Sequence, residues 1–479
     1  MTVLHGWIGG VPHRSAADRH IIDLNPSDAE DVIGAVPAGT TDDVAAAVGA
    51  AADALPGWRR QAGPARAEAL HRWAGAIDAR REELAQALAR EVGKPIGEAR
   101  GEVARCVVIL RYYAGEAVRA IGDVVPAQAE GVLQFTQREP LGVVALITPW
   151  NFPAAIPLWK AAPAIAFGNT VVLKPAEQAT AMALLLAETS AAAGLPSGVF
   201  NVLPGTGDAV GAALLEADAV RAVSFTGSTG VGARVAAVAS ARNIRYQTEM
   251  GGKNVAIVLP DADLDLAASL TAAGAMRFAG QKCTATSRVV IDRRVEEPFL
   301  RRLREQVAAL PVGPVTDAAT AVGPLITADA RDRVRTSIAG MDDRLVCGGG
   351  EPGDERLARG FFVEPAVVRD VDPDSPLAQD EVFGPVLAAF TASDVDEAIA
   401  LANRTRYGLS ATIFTRDLRA ALDFVNRIEA GLVRVNGDTT GVDPHAPFGG
   451  VKASSSGTRE QGSAAREFYT SIKTVQVHQ

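Results

Sequence analysis

The stretch GVVALITPWNFPAAIPLWKAAPAIAFGNTVVLKPAE, residues 142–177, alternates strand-like and helix-like patterns. The continuous apolar run Val143–Ile147 is typical of a strand that is buried on both faces. A helix-like segment at 154–167 follows it, and then a second strand-like run at 170–173. The alternation continues with helices at 178–193, 208–216 and 231–240 and strands at 199–203, 222–226 and 244–248. This pattern predicts parallel βαβ units in a doubly wound sheet.

The residues that follow each predicted strand are the candidate ligand contacts, because ligands of such sheets bind beyond the carboxyl ends of the strands. Lys174 and Glu177 follow one strand, and both side chains can hydrogen-bond the hydroxyls of an adenosine ribose. The alternative is a solvated loop pair. A carboxylate at Glu177 would repel a 2′-phosphate, which favours NAD over NADP. The small residues of 225–232 would let backbone N–H groups approach a pyrophosphate, although a tight turn explains them too.

Outside this series the chain has three further regions. The first 40 residues suggest edge strands or a hairpin, and 42–119 reads as three helices separated at Gly63-Pro64 and Gly93-Lys94-Pro95. Residues 122–137 look extended, as an arm would be. A second α/β series runs from Val255 to about Arg434, and the tail ends in a β-like run at 469–477.

Composition narrows the class of protein. A chain of 479 residues with 48% hydrophobic and 22% charged residues is expected to form two or three globular domains. Its net charge of −9 disfavours nucleic acid or an anionic membrane as a partner. Three widely spaced cysteines make neither a disulfide framework nor a metal site. Because no apolar leader or bilayer-length run is present, we expect a cytoplasmic protein.

One cysteine lies at a junction between elements. In FAGQKCTATSR, residues 278–288, a helix-like run over 264–279 leads to Cys283 and a β-branched run leads away from it. A thiol at such a junction can face a cleft, whereas the alternative is a packing cysteine. Two strand-end residues suit the same chemistry: Asn151 as an oxyanion donor and Glu249 as a general base. Their plain alternatives are a turn residue and a surface carboxylate.

Together these residues resemble the aldehyde dehydrogenase superfamily over essentially the whole chain. The motifs that carry the resemblance follow that family's order: Trp150-Asn151-Phe152-Pro153, Trp159-Lys160, Lys174-Pro175-Ala176-Glu177, Phe225-Thr226-Gly227-Ser228, Glu249-Met250-Gly251-Gly252-Lys253, Gly280-Gln281-Lys282-Cys283, Glu381-Val382-Phe383-Gly384-Pro385 and Pro447-Phe448-Gly449-Gly450 with Lys452. Two positions depart from the family pattern. The segment 452–457 is looser than usual, and Gly230 stands where many members carry Glu.

The resemblance implies three parts. They are a Rossmann-like NAD-binding domain from 1–116 and 141–250, an α/β catalytic domain from 251–446, and a small β oligomerisation element from 117–140 and 447–479. The last part would pair sheet edges between subunits, so a homodimer or homotetramer is expected.

The resemblance also implies roles for individual residues. Cys283 would be the nucleophile, Asn151 an oxyanion donor and Glu249 the base that activates water, while Lys160 would lie near the cofactor and relay protons. Glu381 would anchor the nicotinamide ribose with Phe383 beneath it. The remaining cofactor contacts would come from Thr148, Pro149, Trp150, Lys174, Glu177, Gly207, Phe225, Gly227, Ser228 and Gly251, with no metal. Because CoA-acylating relatives usually lack the base, Glu249 favours hydrolysis to a free acid. A catalytically silent binding protein and an acyl-CoA-forming or phosphorylating enzyme are the alternatives.

Two arginines suggest the substrate. Arg277 stands where the family places a wall of the substrate tunnel, and Arg105 falls on the predicted outer face of a helix, with Ile109 and Tyr112. Two cations would suit an aldehyde with a remote carboxylate. The other expected substrate contacts are Phe152, Trp159, Thr284 and Phe448. Segments 441–450 and 458–462 resemble 2-oxoglutarate semialdehyde dehydrogenases, so we predict an acidic semialdehyde of this kind. A neutral, amino or phosphonate-bearing aldehyde is the alternative, with both arginines on the surface.

Overall fold

The first α/β series forms an eight-stranded sheet in the computed structural model, which describes residues 2–478. In spatial order its strands are β2 (Val11–His13), β1 (Gly6–Ile8), β9 (Phe200–Val202), β8 (Thr170–Lys174), β7 (Val143–Ile147), β10 (Val220–Thr226), β11 (Arg245–Glu249) and β21 (Ser455–Gly457). The five strands from β9 to β11 are parallel, and the outer pairings are antiparallel. The predicted doubly wound sheet is therefore confirmed.

Eight helices belong to this half of the chain: α1 (Thr41–Arg59), α2 (Gly63–Ala79), α3 (Arg81–Val92), α4 (Ile96–Glu116), α5 (Ala155–Ala166), α6 (Thr180–Ala192), α7 (Ala212–Glu216) and α8 (Thr229–Ala241). The prediction of three helices over 42–119 is wrong, because there are four. The extra break is at Arg80, where φ is −107° and ψ is 19°. Neither glycine nor proline marks that break, whereas Gly93 ends α3 with a left-handed φ of 66°.

The second α/β series forms a seven-stranded sheet. In spatial order its strands are β14 (Leu345–Cys347), β15 (Ala366–Val368), β16 (Val386–Ala392), β13 (Thr286–Asp292), β12 (Asn254–Val258), β18 (Ser410–Phe414) and β19 (Leu432–Val435). All pairings except β14–β15 are parallel. The helices of this half are α9 (Leu264–Met276), α10 (Glu296–Ala308), α11 (Ala328–Ile338), α12 (Pro376–Gln379), α13 (Val395–Asn403) and α14 (Leu418–Arg427), and α15 (Ala464–Tyr469) follows in the tail.

The extended arm and the tail meet in a third sheet. Strands β5 (Val124–Val125) and β6 (Val132–Pro140) form it with β22 (Thr470–His478), which pairs antiparallel with β6 along its full length. Two further pairs complete the strands: β3 (His20–Leu24) with β4 (Val32–Pro37), and β17 (Tyr407–Gly408) with β20 (Val451–Lys452). Since β21 lies on the first sheet, the segment 447–479 contributes to more than the third sheet.

The two large sheets meet where β11 ends and β12 begins. The connection Met250–Lys253 between them is short, and all four of its residues are buried. This arrangement brings the carboxyl end of the first sheet to the strand that precedes the Cys283 region. Within residues 2–478, no helix combines the length and apolar character that crossing a bilayer requires. The same residues contain no group of three or more His, Cys, Asp or Glu side chains that could hold a metal ion.

Candidate active site

Cys283 lies in a tight connection between α9 and β13. The helix predicted to reach residue 279 ends at Met276, because Phe278 and Ala279 have left-handed φ values of 55° and 51°. Only Gly280 signals this turn in the sequence, and a Cβ at Gly280 would collide with the backbone of Gly384. The turn buries Phe278 and leaves Cys283 partly accessible.

Hydrogen bonds with Asn254, Thr439 and Pro324 hold the loop on both sides of the thiol. The Asn254 side-chain amide donates to the carbonyl oxygens of Cys283 and Ala285, at 2.8 Å each. The Thr439 hydroxyl donates to the carbonyl of Thr284 at 2.7 Å. Gln281 is buried, and its amide donates to the Pro324 carbonyl at 3.0 Å. The thiol is therefore presented by a rigid loop.

The side chain of Asn151 reaches this loop from the end of β7. It is buried, and its Nδ2 donates to the carbonyl of Gln281 at 3.0 Å. An amide nitrogen carries two hydrogens, so one donor remains for a ligand beside Cys283. The structure thus brings Asn151 to the loop that carries Cys283, and its predicted role as an oxyanion donor stays a prediction.

A buried ion pair, Lys94–Glu102, supports the backbone around Asn151. Lys94 Nζ is hydrogen-bonded to Glu102 and also donates to the carbonyl of Asn151 at 2.7 Å. The second carboxylate oxygen of Glu102 accepts the N–H groups of Ala154 and Ala155, at 3.0 Å each. Nζ also lies 3.8 Å from the ring centroid of Phe152. The pair therefore ties α4 to residues 151–155.

Glu249, the last residue of β11, is held from the tail of the chain. Ser455 of β21 lies opposite it in the antiparallel register and donates a hydrogen bond to its Oε2 at 2.6 Å. The other carboxylate oxygen, Oε1, is buried and has no hydrogen-bond partner among residues 2–478. The loose segment 452–457 thus supplies the anchor of Glu249, and one oxygen stays available.

Lys160 lies in a buried polar network behind Glu249. Its Nζ donates to the Ser224 hydroxyl at 2.8 Å and is hydrogen-bonded to Glu460. Gln247 donates to the same Ser224 hydroxyl at 2.9 Å. This ionic partner of Lys160 was not foreseen from the sequence, and the predicted role of Lys160 in proton transfer stays a prediction.

Burial and neighbouring carboxylates shift the pKa values of Cys283 and Glu249. Burial, followed by the charges of Glu381, Glu249 and Glu460, raises the pKa of Cys283 to about 12. Burial, and then the charge of Glu460, raises the pKa of Glu249 well above its usual value, while Ser455 opposes the shift. Burial therefore favours the protonated form of both groups in the free protein.

The strand-end residues expected to contact an adenosine ribose lie side by side. Lys174 is buried, and its Nζ donates to the carbonyl of Pro175 at 2.8 Å and lies 3.4 Å from Glu177 Oε1. Glu177 is partly exposed, so its carboxylate can still accept hydrogen bonds from a ligand. Gly207 opens the π-helical turn Gly207–Gly211, and a Cβ at this glycine would meet no atom within 4 Å.

The loop after β10 approaches closely to the same edge. Gly227 donates its N–H to the carbonyl of Glu249 at 3.0 Å, and a Cβ at Gly227 would lie 2.6 Å from the Phe225 ring. Ser228 is the exposed N-cap residue of α8. At the end of β7, the hydroxyl of Thr148 is buried without a partner among residues 2–478.

The carboxylate of Glu381 lies against Gly251 and Gly252, in the connection between the two sheets. Its Oε1 accepts the N–H of Gly252 at 3.0 Å, and a Cβ at Gly251 would collide with its Oε2. Burial raises the pKa of Glu381 to about 7. Phe383 has a φ of 54°, and its ring meets the ring of Trp150 edge-on at a centroid distance of 5.6 Å.

A cavity beside Cys283 collects most of the predicted substrate residues. Arg105, Phe152, Trp159, Thr284 and Phe448 all line it, together with the thiol-bearing residue. A wider opening next to it is lined by Arg105, Phe152 and Thr284 as well. The structure therefore brings these five side chains together around one space.

Two predictions are wrong: that Arg277 lies on a wall of the substrate tunnel, and that Ile109 lies on the outer face of α4. Arg277 is exposed and lines neither of these cavities, because the turn after Met276 directs Phe278 inward. Ile109, assigned to the outer face of α4, is fully buried in the core. Only Arg105 of the two arginines thus lies where a substrate beside Cys283 could meet it.

Comparison with known proteins decides the family. The profile of the aldehyde dehydrogenase family matches residues 13–475. The chain belongs to this family. It is 44% identical, over 94% of this chain and 93% of the relative, to the alpha-ketoglutaric semialdehyde dehydrogenase of Bacillus subtilis (strain 168). It is 40% identical, over 98% and 97%, to the 2,5-dioxopentanoate dehydrogenase of Saccharolobus solfataricus. The crystal structure of an NAD-dependent aldehyde dehydrogenase from Sinorhizobium meliloti superposes with a TM-score of 0.95 at 37% identity, covering 100% of this chain and 95% of that one.

Family membership confirms the prediction of an NAD(P)-dependent aldehyde dehydrogenase. The residues present fit such a cofactor. The Lys174–Glu177 pair and the buried, unpartnered Thr148 hydroxyl offer hydrogen-bonding groups at the strand ends, and a Cβ at Gly207 would meet open space. The individual contacts stay predictions.

Sequence reasoning missed four residues of this aldehyde dehydrogenase site. Lys94, Glu102, Ser455 and Glu460 lie far along the chain from the groups they contact, and no local pattern marks them. Glu460 and Lys160 are 300 positions apart. Lys94 stands in a Gly-Lys-Pro break, where a solvated lysine would be ordinary, so the sequence did not mark its burial either.

Proposed function

We propose that this enzyme oxidises an acidic semialdehyde, of the 2-oxoglutarate semialdehyde type, to the carboxylic acid through a thioester on Cys283. The observation that carries the proposal is the cavity that places Arg105 and Cys283 on the walls of one space. The names of the Bacillus subtilis and Saccharolobus solfataricus relatives describe the same compound, which supports this substrate class.

In the first step the Cys283 thiol loses its proton to solvent, and the thiolate sulfur attacks the aldehyde carbon. A carbon–sulfur bond forms, and the carbonyl π bond breaks to leave an alkoxide. The free Nδ2 hydrogen of Asn151 and the Cys283 backbone N–H stabilise that oxyanion. Removing one such donor typically costs about 3–4 kcal/mol of transition-state stabilisation. When bound, the oxidised nicotinamide supplies a positive charge that favours the thiolate and accepts the hydride from the substrate carbon.

The residues expected around the nicotinamide are Glu381, Phe383 and Gly251. The Gly252 N–H orients the Glu381 carboxylate, and the missing side chain at Gly251 lets that carboxylate approach. We assign Glu381 to the ribose hydroxyls and Phe383, with Trp150 against its edge, to the wall of the ring site.

Hydrolysis of the thioester completes the reaction. We assign Glu249 to remove a proton from water, because its Oε1 is unpartnered while Ser455 holds Oε2. Water then adds to the thioester carbon, the carbon–sulfur bond breaks, and the acid leaves. We assign the onward transfer of this proton to Lys160, which is ion-paired with Glu460.

The positive charge of Arg105 suits a substrate that carries a carboxylate. Its Nε is buried without a hydrogen-bond partner among residues 2–478, and Asp443 is the acidic group whose charge acts most on it. The guanidinium stays charged at any pH of interest. A carboxylate at the far end of the substrate would supply the missing partner through a charge-assisted hydrogen bond.

Cofactor preference and assembly complete the proposal. Glu177 beside Lys174 favours NAD over NADP, because its carboxylate would repel a 2′-phosphate.

We infer a homodimer or homotetramer through the third sheet, where Val124 and Ile472 are 79% and 61% exposed. Three free cysteines fit the reducing cytoplasm.

The test is aldehyde-dependent NADH formation by the purified enzyme, with identification of the product. We expect a carboxylic acid without added CoA or phosphate, and no NADH from Cys283→Ala. The substitution Arg105→Met should raise KM for an acidic semialdehyde far more than KM for a neutral aldehyde of similar length. Equal effects on both substrates would refute the substrate class, and CoA-dependent turnover would refute hydrolysis.

A further inference from the structure

Gln461 presents a buried amide with no hydrogen-bond partner. The residue is 1% exposed, and neither Oε1 nor Nε2 is hydrogen-bonded among residues 2–478. Its φ of 58° is left-handed, a conformation that side-chain-bearing residues other than Asn and Asp rarely adopt. A strained backbone and an unsatisfied buried amide at one position point to a ligand-related role.

Neighbouring structure holds this amide in place. The Gln461 carbonyl accepts the Ala465 N–H at 3.2 Å, and Gly462 donates its N–H to the Pro444 carbonyl at 3.1 Å. The Tyr113 hydroxyl donates to the Gly462 carbonyl at 3.3 Å. These hydrogen bonds hold the backbone at Gln461 and Gly462 in place.

Two further unsatisfied donors line the same cavity as Gln461. They are the indole Nε1 of Trp159 and the Nε of Arg105, both buried without partners among residues 2–478. Cys283 lines this cavity too. Arg105 alone can bind a carboxylate. A substrate with only a carboxylate would therefore leave the Trp159 and Gln461 side chains without a hydrogen-bond partner.

We propose that Gln461 and Trp159 bind an oxygen substituent next to the substrate carboxylate, so that the enzyme selects 2-oxo acids that bear a terminal aldehyde. This inference rests on the proposed function and specifies its substrate. A keto oxygen has two lone pairs and accepts from both the indole N–H and the amide N–H, while Arg105 holds the neighbouring carboxylate. The amide Oε1 is left to accept from water. A plain semialdehyde leaves both donors unpaired.

The first experiment compares three substrates of equal chain length: 2,5-dioxopentanoate, 5-oxopentanoate and pentanal. Because a site built to hydrogen-bond an oxygen discriminates against analogues that lack it, we expect kcat/KM for the 2-oxo acid to exceed that for 5-oxopentanoate by about tenfold or more. Trp159→Phe, which removes the N–H together with part of the ring, and Gln461→Met should each lower this ratio several-fold. The matched control Gln86→Met, on the exposed face of α3, should leave the ratio unchanged.

A binding measurement keeps the test independent of turnover and of folding. In Cys283→Ala, calorimetric titration should show tighter binding of 2-oxopentanedioate than of pentanedioate. Adding Trp159→Phe should reduce that difference, and Gln461→Asn, which tolerates the left-handed backbone, should retain part of it. Thermal melting identifies any variant that fails to fold.

The outcomes separate this inference from the proposed function. Preference for both acids over pentanal without preference for the 2-oxo acid would overturn the role of Gln461 and Trp159 and leave Arg105 intact. Equal turnover of 5-oxopentanoate and pentanal would instead overturn the carboxylate assignment. No NADH from any aldehyde would overturn the function itself. An unchanged 2-oxo preference in both Trp159→Phe and Gln461→Met would also refute the inference.

Discussion

Removing one partner of the Lys94–Glu102 ion pair is expected to damage both stability and catalysis. Lys94→Met leaves the Glu102 carboxylate buried, although that group would still accept the N–H groups of Ala154 and Ala155. Breaking a buried pair in this way typically costs about 3–5 kcal/mol. For a chain of 479 residues that corresponds to a fall in Tm of about 3–5 °C.

The catalytic effect follows from the lost contact with the Asn151 carbonyl. Without the hydrogen bond from Nζ, residues 151–155 are free to move, and the Asn151 amide no longer meets the oxyanion in a fixed position. We expect kcat to fall by about 10²-fold, approaching the effect of losing one oxyanion donor. KM for the aldehyde should change much less, because the loss concerns the transition state.

The assay pairs thermal melting with steady-state kinetics and uses two comparison variants. Glu82→Gln breaks an exposed ion pair with Arg100 on the same side of the molecule and should change neither Tm nor kcat measurably. The double substitution Lys94→Met with Glu102→Leu should regain much of the stability, because no buried charge remains, yet kcat should stay low. A Lys94→Met enzyme with wild-type kcat would refute the positioning role.

Three further predictions concern the base and the cofactor site. Ser455→Ala removes a hydrogen bond that lowers the pKa of Glu249, so the pKa of Glu249 should rise and the acidic limb of the kcat–pH profile should move to higher pH. An unmoved limb would show that Glu249 does not limit turnover. Because the pKa of Glu381 is raised to about 7, its carboxylate is present above that pH and lost below it. KM for NAD should therefore rise as the pH falls through 7, and Glu381→Gln should give a high KM without this dependence. Glu177→Gln should improve kcat/KM for NADP by about tenfold by removing one charge repulsion, and equal NADP kinetics in both enzymes would contradict the NAD assignment.

The sequence predicted the two sheets because buried parallel strands and amphipathic helices have different periods. Val143–Ile147 agrees in full with the structure, and most other strands of the first sheet agree within one or two residues. The sequence could predict that Asn151, Lys174 and Glu249 lie at one edge of the sheet, since parallel strands end at the same edge. The fold and the placement of these three groups at one sheet edge were thus predictable from local patterns.

The remaining features depend on contacts that no local pattern records. Arg80 breaks a helix without glycine or proline, and Phe278 adopts a left-handed φ only because the turn around it is tightly packed. Ile109 is buried because α4 packs on more than one side. The partners Ser455 and Glu460 reach the site from the distant tail, so only the tertiary structure shows them.

The most direct test of the central claim is intact-mass analysis of Glu249→Gln after mixing with NAD and 5-oxopentanoate. This variant should release NADH in a burst of about one equivalent per active site and then turn over very slowly, because acylation needs no base for water. The protein mass should rise by that of the acyl group, and peptide mapping should locate the addition on Cys283. A burst without any adduct, or an adduct on another residue, would contradict the mechanism.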